Sequence, residues 1–168
     1  MKKNLVLTGM MGSGKSTVGK SLSEQLKGKF IDIDSIIENK MSMSIASIFE
    51  IKGEDFFRKL EVDETIAYLE RDGLIMALGG GAFLNNRIRE KVKKNSVSFW
   101  LHLDIEELHK RTKINKKRPL ISAMSKEDLE KLYNDRKKIY SLADFKVDCN
   151  SKDKNKIVRE IIEIYENS

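Results

Sequence analysis

The chain has 168 residues, enough for one domain with a substantial hydrophobic core and too few for two of ordinary size. Lysine and arginine number 32 against 26 aspartates and glutamates, giving a net charge of +6 and a pI near 9.3. That balance suits nucleic acid or small anionic ligands, but no basic run is interleaved with aromatics as a strand-tracking groove would need, which favours the small anion. The single Cys149 excludes an intramolecular disulfide and fits a reducing compartment. No apolar run approaches the roughly twenty residues that span a bilayer, and Met1 to Asn4 fit no signal peptide, so a cytoplasmic, membrane-free protein is expected.

In chain order, residues 4–8 (Asn-Leu-Val-Leu-Thr) predict a short buried strand and residues 16–27 a helix, with Val18, Leu22 and Leu26 recurring every four positions. Between them, Gly9-Met10-Met11-Gly12-Ser13-Gly14-Lys15-Ser16-Thr17 fits the phosphate-loop pattern in its required strand–loop–helix setting. In such a loop the glycines let backbone N–H groups turn inward, and the helix N-terminus adds partial positive charge. Gly12, Ser13, Gly14, Lys15, Ser16 and Thr17 are therefore the expected nucleotide-binding residues. Lys15 reaches the outer phosphates and the Ser16 hydroxyl is a ligand for Mg²⁺. The motif points to a nucleoside triphosphate.

Residues 29–34 predict a second strand ending in carboxylates, with Asp32 and Asp34 on one face. Ligands sit beyond the carboxyl ends of strands in open α/β sheets, which puts both acids beside the phosphate loop. One holds Mg²⁺ through water and the other bonds a substrate hydroxyl; the alternative is that Asp34 only caps the next helix. Short helices follow to residue 51, broken near residues 41–44, with Ser44 as an N-cap. A longer helix opens at Glu54 and Asp55, acids that suit its first turn, and runs to about residue 72 on a stripe of Val62, Ile66 and Leu69. Within it Arg58 and Glu61 are i,i+3 neighbours, either a clamp for a carboxylate ligand or an ordinary surface ion pair.

The apolar run 74–78 predicts a strand buried on both faces. It ends in Gly79-Gly80-Gly81, which removes every side chain where a ligand approaches the backbone. A basic helix over 85–94, a strand over 98–103 with Trp100 and His102 as packing residues, and a helix capped by Asp104 come next. The basic segment from Lys110 to Pro119 carries Arg111 and Arg118 and reads as a solvated loop or as a lid that brings Arg to transferring phosphates. Ser125 caps a further helix, whose apolar stripe of Leu129, Leu132, Tyr133 and Tyr140 contains Arg136. A charge on a buried face needs a partner or a cavity, so Arg136 is a second candidate clamp. A last strand over 145–149 and an amphipathic helix through Ile157, Ile161 and Tyr165 complete the chain. Cys149 reads as a small core residue.

Six motifs in order carry a resemblance that covers essentially the whole chain: Gly9 to Thr17, Asp32-x-Asp34, Phe57-Arg58-x-x-Glu61, Gly79-Gly80-Gly81, Arg118-Pro119-Leu120 and Arg136-x-x-x-Tyr140. Together they are similar to those of the shikimate kinases, a P-loop family related to nucleoside monophosphate kinases. The resemblance implies an α/β three-layer P-loop kinase fold, with a five-stranded parallel sheet of order 2-3-1-4-5 flanked by helices. It implies a single domain over 1–168, with a shikimate-binding region at about 33–61 and a mobile lid at about 112–124. The implied reaction transfers the γ-phosphate of ATP to the 3-hydroxyl of shikimate, on the way to chorismate and the aromatic amino acids, by a monomer that binds neither nucleic acid nor membrane.

Carried over residue by residue, the resemblance implies that Asp34 and Gly81 bond the shikimate hydroxyls, Asp34 doubling as a candidate general base. Arg58, Gly80 and Arg136 hold its carboxylate, Phe57 lies along the wall, Glu61 orients Arg58, and Gly79 belongs to the same substrate-binding run. Arg118 reaches the transferred phosphate from the lid, Arg111 lies over adenine, and Asp32 assists Mg²⁺ at Ser16. Two departures stand out. Leu78 takes a position where the family usually carries a small hydroxyl residue, and Lys137-Lys138-Ile139 replaces a common proline, so the helix is expected to run on. A gluconate kinase of the same fold shares the phosphate loop but lacks reason for paired Arg58 and Arg136 together with Asp34 and the triple glycine. A nucleotide-dependent nucleic-acid module predicts slow turnover and salt-sensitive binding.

Overall fold

The computed structural model describes residues 3–114 and 124–168; Arg118 and most of the expected lid lie outside the described residues. Five strands, β1 (Asn4–Thr8), β2 (Lys29–Asp32), β3 (Leu74–Ala77), β4 (Ser96–His102) and β5 (Phe145–Asp148), form one sheet in the order β2-β3-β1-β4-β5. Every pairing is parallel, with Leu5 opposite Ile75 and Val97, and Leu7 opposite Ala77 and Phe99. β1, β3 and β4 are buried along their whole length, as strands covered on both faces must be.

The helices are α1 (Lys15–Leu26), α2 (Ile33–Met41), α3 (Ile45–Lys52), α4 (Glu54–Leu69), α5 (Asn86–Asn95), α6 (Ile105–Ile114), α7 (Lys126–Tyr140) and α8 (Lys154–Glu166). The β1-to-β2 connection runs one way across the sheet, and β2-to-β3 and β3-to-β4 run the other. Right-handed crossovers then put α1 on one face and α4 and α5 on the opposite face. The packing agrees: α1 meets α8, and α4 meets α5. Leu5, Leu7, Leu22, Ile37, Leu69, Met76 and Phe99 are fully buried between these layers.

Local chemistry explains the boundaries. Ser44 and Ser125 cap α3 and α7, accepting from the N–H groups of Ser47 and Asp128, and the first turn of α7 carries Glu127 and Asp128. α7 continues through Lys137-Lys138-Ile139 to Tyr140, as the absence of proline there predicts. One boundary differs from expectation. β2 stops at Asp32, whose carboxylate accepts from the Ser35 N–H and starts α2 at Ile33. Asp34 therefore lies in the first turn of a helix and not on a strand face beside Asp32, and the capping acid is Asp32. Cys149 is buried, and burial pushes its thiol up to about 12, which fits a core residue and not a nucleophile.

Candidate active site

The phosphate loop connects β1 to α1 across the sheet's carboxyl end. Gly12 and Gly14 have φ of 81° and 93°, left-handed values that a glycine takes without steric cost. Gly14 is also the N-cap of α1, and no side chain caps it, so the first N–H groups of the helix face the loop's concavity. The Lys15 Nζ is buried and donates to the Gly9 and Met10 carbonyls, each at 2.9 Å. Ser16 Oγ donates to Asp32 Oδ2 at 2.5 Å. Asp32 thus does two jobs with two oxygens, capping α2 with one and meeting the first turn of α1 with the other.

A cleft of ≈ 310 Å³ lies between this loop and the ends of β2 and β3, lined by Lys15, Ser16, Asp32, Asp34, Leu78 and Arg111 among others. Arg111 reaches it from α6, braced by Glu107 Oε1 at 2.8 Å from its Nε, and its Nη1 stands 4.0 Å from where a Cβ on Gly14 would be. Leu78 is buried there, its N–H donated to the Leu7 carbonyl at 3.0 Å. Thr112 to Ile114, the start of the expected lid, continue α6.

Beyond the cleft the three glycines form a bare strip ringed by charge. A Cβ on Gly79 would stand 2.5 Å from Glu61 Oε1 and 2.6 Å from Asp34 Oδ1; one on Gly81 would stand 2.5 Å from Arg58 Nη1. Arg136 Nη1 donates to the Gly80 carbonyl at 3.2 Å. Asp34, Arg58, Glu61 and Arg136 come from α2, α4 and α7 and meet only because the glycines between them carry no side chains.

Arg58 is fixed from several sides. Its Nη1 donates to Glu61 Oε2 at 2.8 Å, and its Nε and Nη2 donate to Glu54 Oε1 at 3.2 Å each. Its guanidinium lies 5.2 Å from the Phe57 ring centre and 5.8 Å from that of Phe49. Phe57 is buried beneath the guanidinium. The pair is not a surface ornament, since Glu61 is only 2% exposed. Burial pushes the Glu61 carboxyl above its usual range; Arg58 opposes that without cancelling it, and nearby Asp34 adds to it. An acid whose pKa is raised in the fold contributes most below its unfolded value and loses stability as pH rises through the folded one. Glu61→Gln is accordingly expected to keep a Tm at pH 8 no lower than wild type while weakening the Arg58 clamp. Thermal melts at pH 5 and pH 8 beside substrate titrations check both halves; a lower Tm at pH 8 with unchanged affinity would contradict them.

The structure brings together Lys15, Ser16, Asp32, Asp34, Arg58, Glu61, the three glycines, Arg111 and Arg136. Arg118 lies outside the described residues. The sequence alone places Glu54 in a helix's first turn and Tyr140 in an apolar stripe, and gives neither these two nor Phe49 a part in the site. Glu54 was readable as an i−4 acid to Arg58; Phe49 and Tyr140 reach the site only through tertiary packing.

Fold and phosphate loop together define a P-loop phosphotransferase, with two arginines and two carboxylates ringing a glycine strip beside the cleft. The shikimate kinase family model matches residues 11–166. The chain belongs to the shikimate kinase family. It is 41% identical over 160 residues to the shikimate kinase of Sulfurihydrogenibium sp. (strain YO3AOP1), covering 95% of this chain and 96% of that one. It is 39% identical to that of Persephonella marina, covering 95% and 97%. The structure of the shikimate kinase from Acinetobacter baumannii in complex with shikimate superposes with a TM-score of 0.93 at 31% identity, over 99% of this chain and 94% of that one.

Proposed function

We propose that this chain transfers the γ-phosphate of ATP to the 3-hydroxyl of shikimate, giving 3-phosphoshikimate and ADP in the route to the aromatic amino acids. Membership of the family supports the reaction, and one observation carries the site. Two arginines and two carboxylates converge on a side-chain-free glycine strip that follows Leu78, a residue of the cleft lined by the phosphate loop. The arginines take the substrate carboxylate, for which a planar guanidinium is the best-matched partner. Gluconate also carries a carboxylate, so membership of the shikimate kinase family, and not the arginine pair alone, separates this reading from a gluconate kinase.

Asp34 orients the attacking hydroxyl and is placed to accept its proton. Phosphoryl transfer passes through a loose transition state, so alignment and charge neutralisation carry most of the catalysis. Lys15 leaves the Gly9 and Met10 carbonyls to meet the outer phosphates, and the N–H groups of Gly12 to Thr17 hold the rest. The Ser16 hydroxyl and Asp32 carboxylate, within 2.5 Å of each other, are hard oxygen donors of the kind Mg²⁺ selects, and they would hold it. Bound there, Mg²⁺ would supply charge that neutralises the phosphates. Arg111, which lines the cleft, is assigned to the adenine; Arg118, assigned to the transferred phosphate, lies outside the described residues. No helix among the described residues is long and apolar enough to cross a membrane. We read the protein as a cytoplasmic monomer acting on small molecules and not on nucleic acid.

The test is ADP release from ATP and Mg²⁺ with shikimate, gluconate and quinate supplied separately. Turnover that requires shikimate supports the reading. ATP binding without shikimate-dependent ADP release sinks it and turns attention to nucleic-acid binding.

A further inference from the structure

The Gly80 carbonyl, in a run of three glycines with no side chain to anchor it, accepts two hydrogen bonds. Arg136 Nη1 supplies one at 3.2 Å and the Tyr140 hydroxyl the other at 2.5 Å. Tyr140 is fully buried and sits one helical turn after Arg136 on the same face of α7. Its ring packs on Trp100 of β4 at 6.1 Å between centres, so the hydroxyl is presented by a rigid body. The same hydroxyl also lies 3.8 Å from Met10 Sδ, in the phosphate loop, and the Met10 carbonyl in turn receives Lys15 Nζ. One buried oxygen therefore touches both the glycine strip and the phosphate loop.

We infer that Tyr140 is a positioning residue for the substrate clamp: its hydroxyl fixes the Gly80 peptide on which the Arg136 guanidinium is braced. The inference rests on the reading of the glycine strip as the shikimate site. The shorter of the two bonds belongs to the neutral, immobile partner, so Tyr140 sets the carbonyl's direction and Arg136 follows it. Without the hydroxyl, Arg136 would be the sole side chain of this pair on that carbonyl, and a free guanidinium would swing between it and solvent. The substrate carboxylate would then meet a clamp that is present but loosely aimed.

The test is steady-state kinetics on wild type, Tyr140→Phe, Arg136→Ala and the double variant, with Tm measured for each. Phe keeps the buried ring and removes one oxygen. The shikimate KM of Tyr140→Phe is expected to rise about tenfold, as loss of one buried hydrogen bond implies, with the ATP KM within about twofold of wild type. Added to Arg136→Ala, Tyr140→Phe is expected to cost less than about twofold more, because the two residues act through one clamp. An unchanged shikimate KM, or a full additional loss on top of Arg136→Ala, overturns the inference. A variant that fails to fold, or in which both KM values rise together, assigns Tyr140 to the core and overturns it too. Wild type lacking shikimate-dependent ADP release defeats the functional reading itself, and is seen before any variant is compared.

Discussion

Gly79→Ala is expected to cut kcat/KM for shikimate by more than about 100-fold while leaving nucleotide affinity near wild type. The added methyl would stand 2.5 Å from Glu61 Oε1 and 2.6 Å from Asp34 Oδ1, distances no Cβ tolerates, so both carboxylates must move. Glu61 is buried and holds Arg58, so it cannot move cheaply, while the Asp34 carboxylate must rotate away from the strip it faces. One methyl thus displaces the hydroxyl-orienting acid and, through Glu61, a carboxylate clamp. Misplacement of reacting groups by about 1 Å is enough for a loss of this size. Shikimate kinetics beside ADP titrations read the two halves separately; an active Gly79→Ala would show that the strip does not face the substrate.

Lys15→Met is expected to lower kcat by about 10²–10³, the scale seen when a charge-stabilising donor is removed from developing negative charge. The fold should survive, because Lys15 Nζ bonds loop carbonyls that water can satisfy once the cleft opens to solvent. Single-turnover rates with saturating ATP and shikimate would measure the loss, and a melt the fold. A variant with kcat within about tenfold of wild type would remove Lys15 from the phosphate-stabilising role.

How much of this was legible in the sequence depended on whether the signal was local. The phosphate loop was, because strand, glycines and helix are consecutive and each has its own signature. The sheet order followed from the resemblance and not from periodicity, since apolar runs do not say which strand pairs with which. Arg136 was legible as an anomaly, a charge inside an apolar stripe, and the structure gives it the Gly80 carbonyl. Arg58 with Glu61 was legible as a pair but not as a site, because i,i+3 spacing looks the same on a solvated helix face. The burial of Glu61, a tertiary fact, is what sets the pair apart from a surface ion pair.

The start of α2 was misjudged for an instructive reason. Residues 29–34 alternate in a strand-like way, and only the Asp32 carboxylate turning back to the Ser35 N–H ends the strand two residues early. A cap of that kind competes with strand pairing, and periodicity cannot see which wins. Tyr140 was read as stripe; its hydroxyl's partners lie 60 and 130 residues away in the chain, beyond any local pattern. The position of Gly79 between two carboxylates was equally invisible, since nothing in three consecutive glycines names what surrounds them.

The most direct test of the account is kcat/KM for shikimate against its methyl ester, measured by ADP release with the wild-type protein. Esterification leaves the ring and hydroxyls intact, adds one methyl group and removes the negative charge that Arg58 and Arg136 are proposed to hold. A loss of at least about 100-fold is expected for the ester, since half-buried guanidiniums would lose the substrate anion they are proposed to hold. Equal turnover of acid and ester would mean that the two arginines are not the carboxylate clamp, and the site as described here would be wrong.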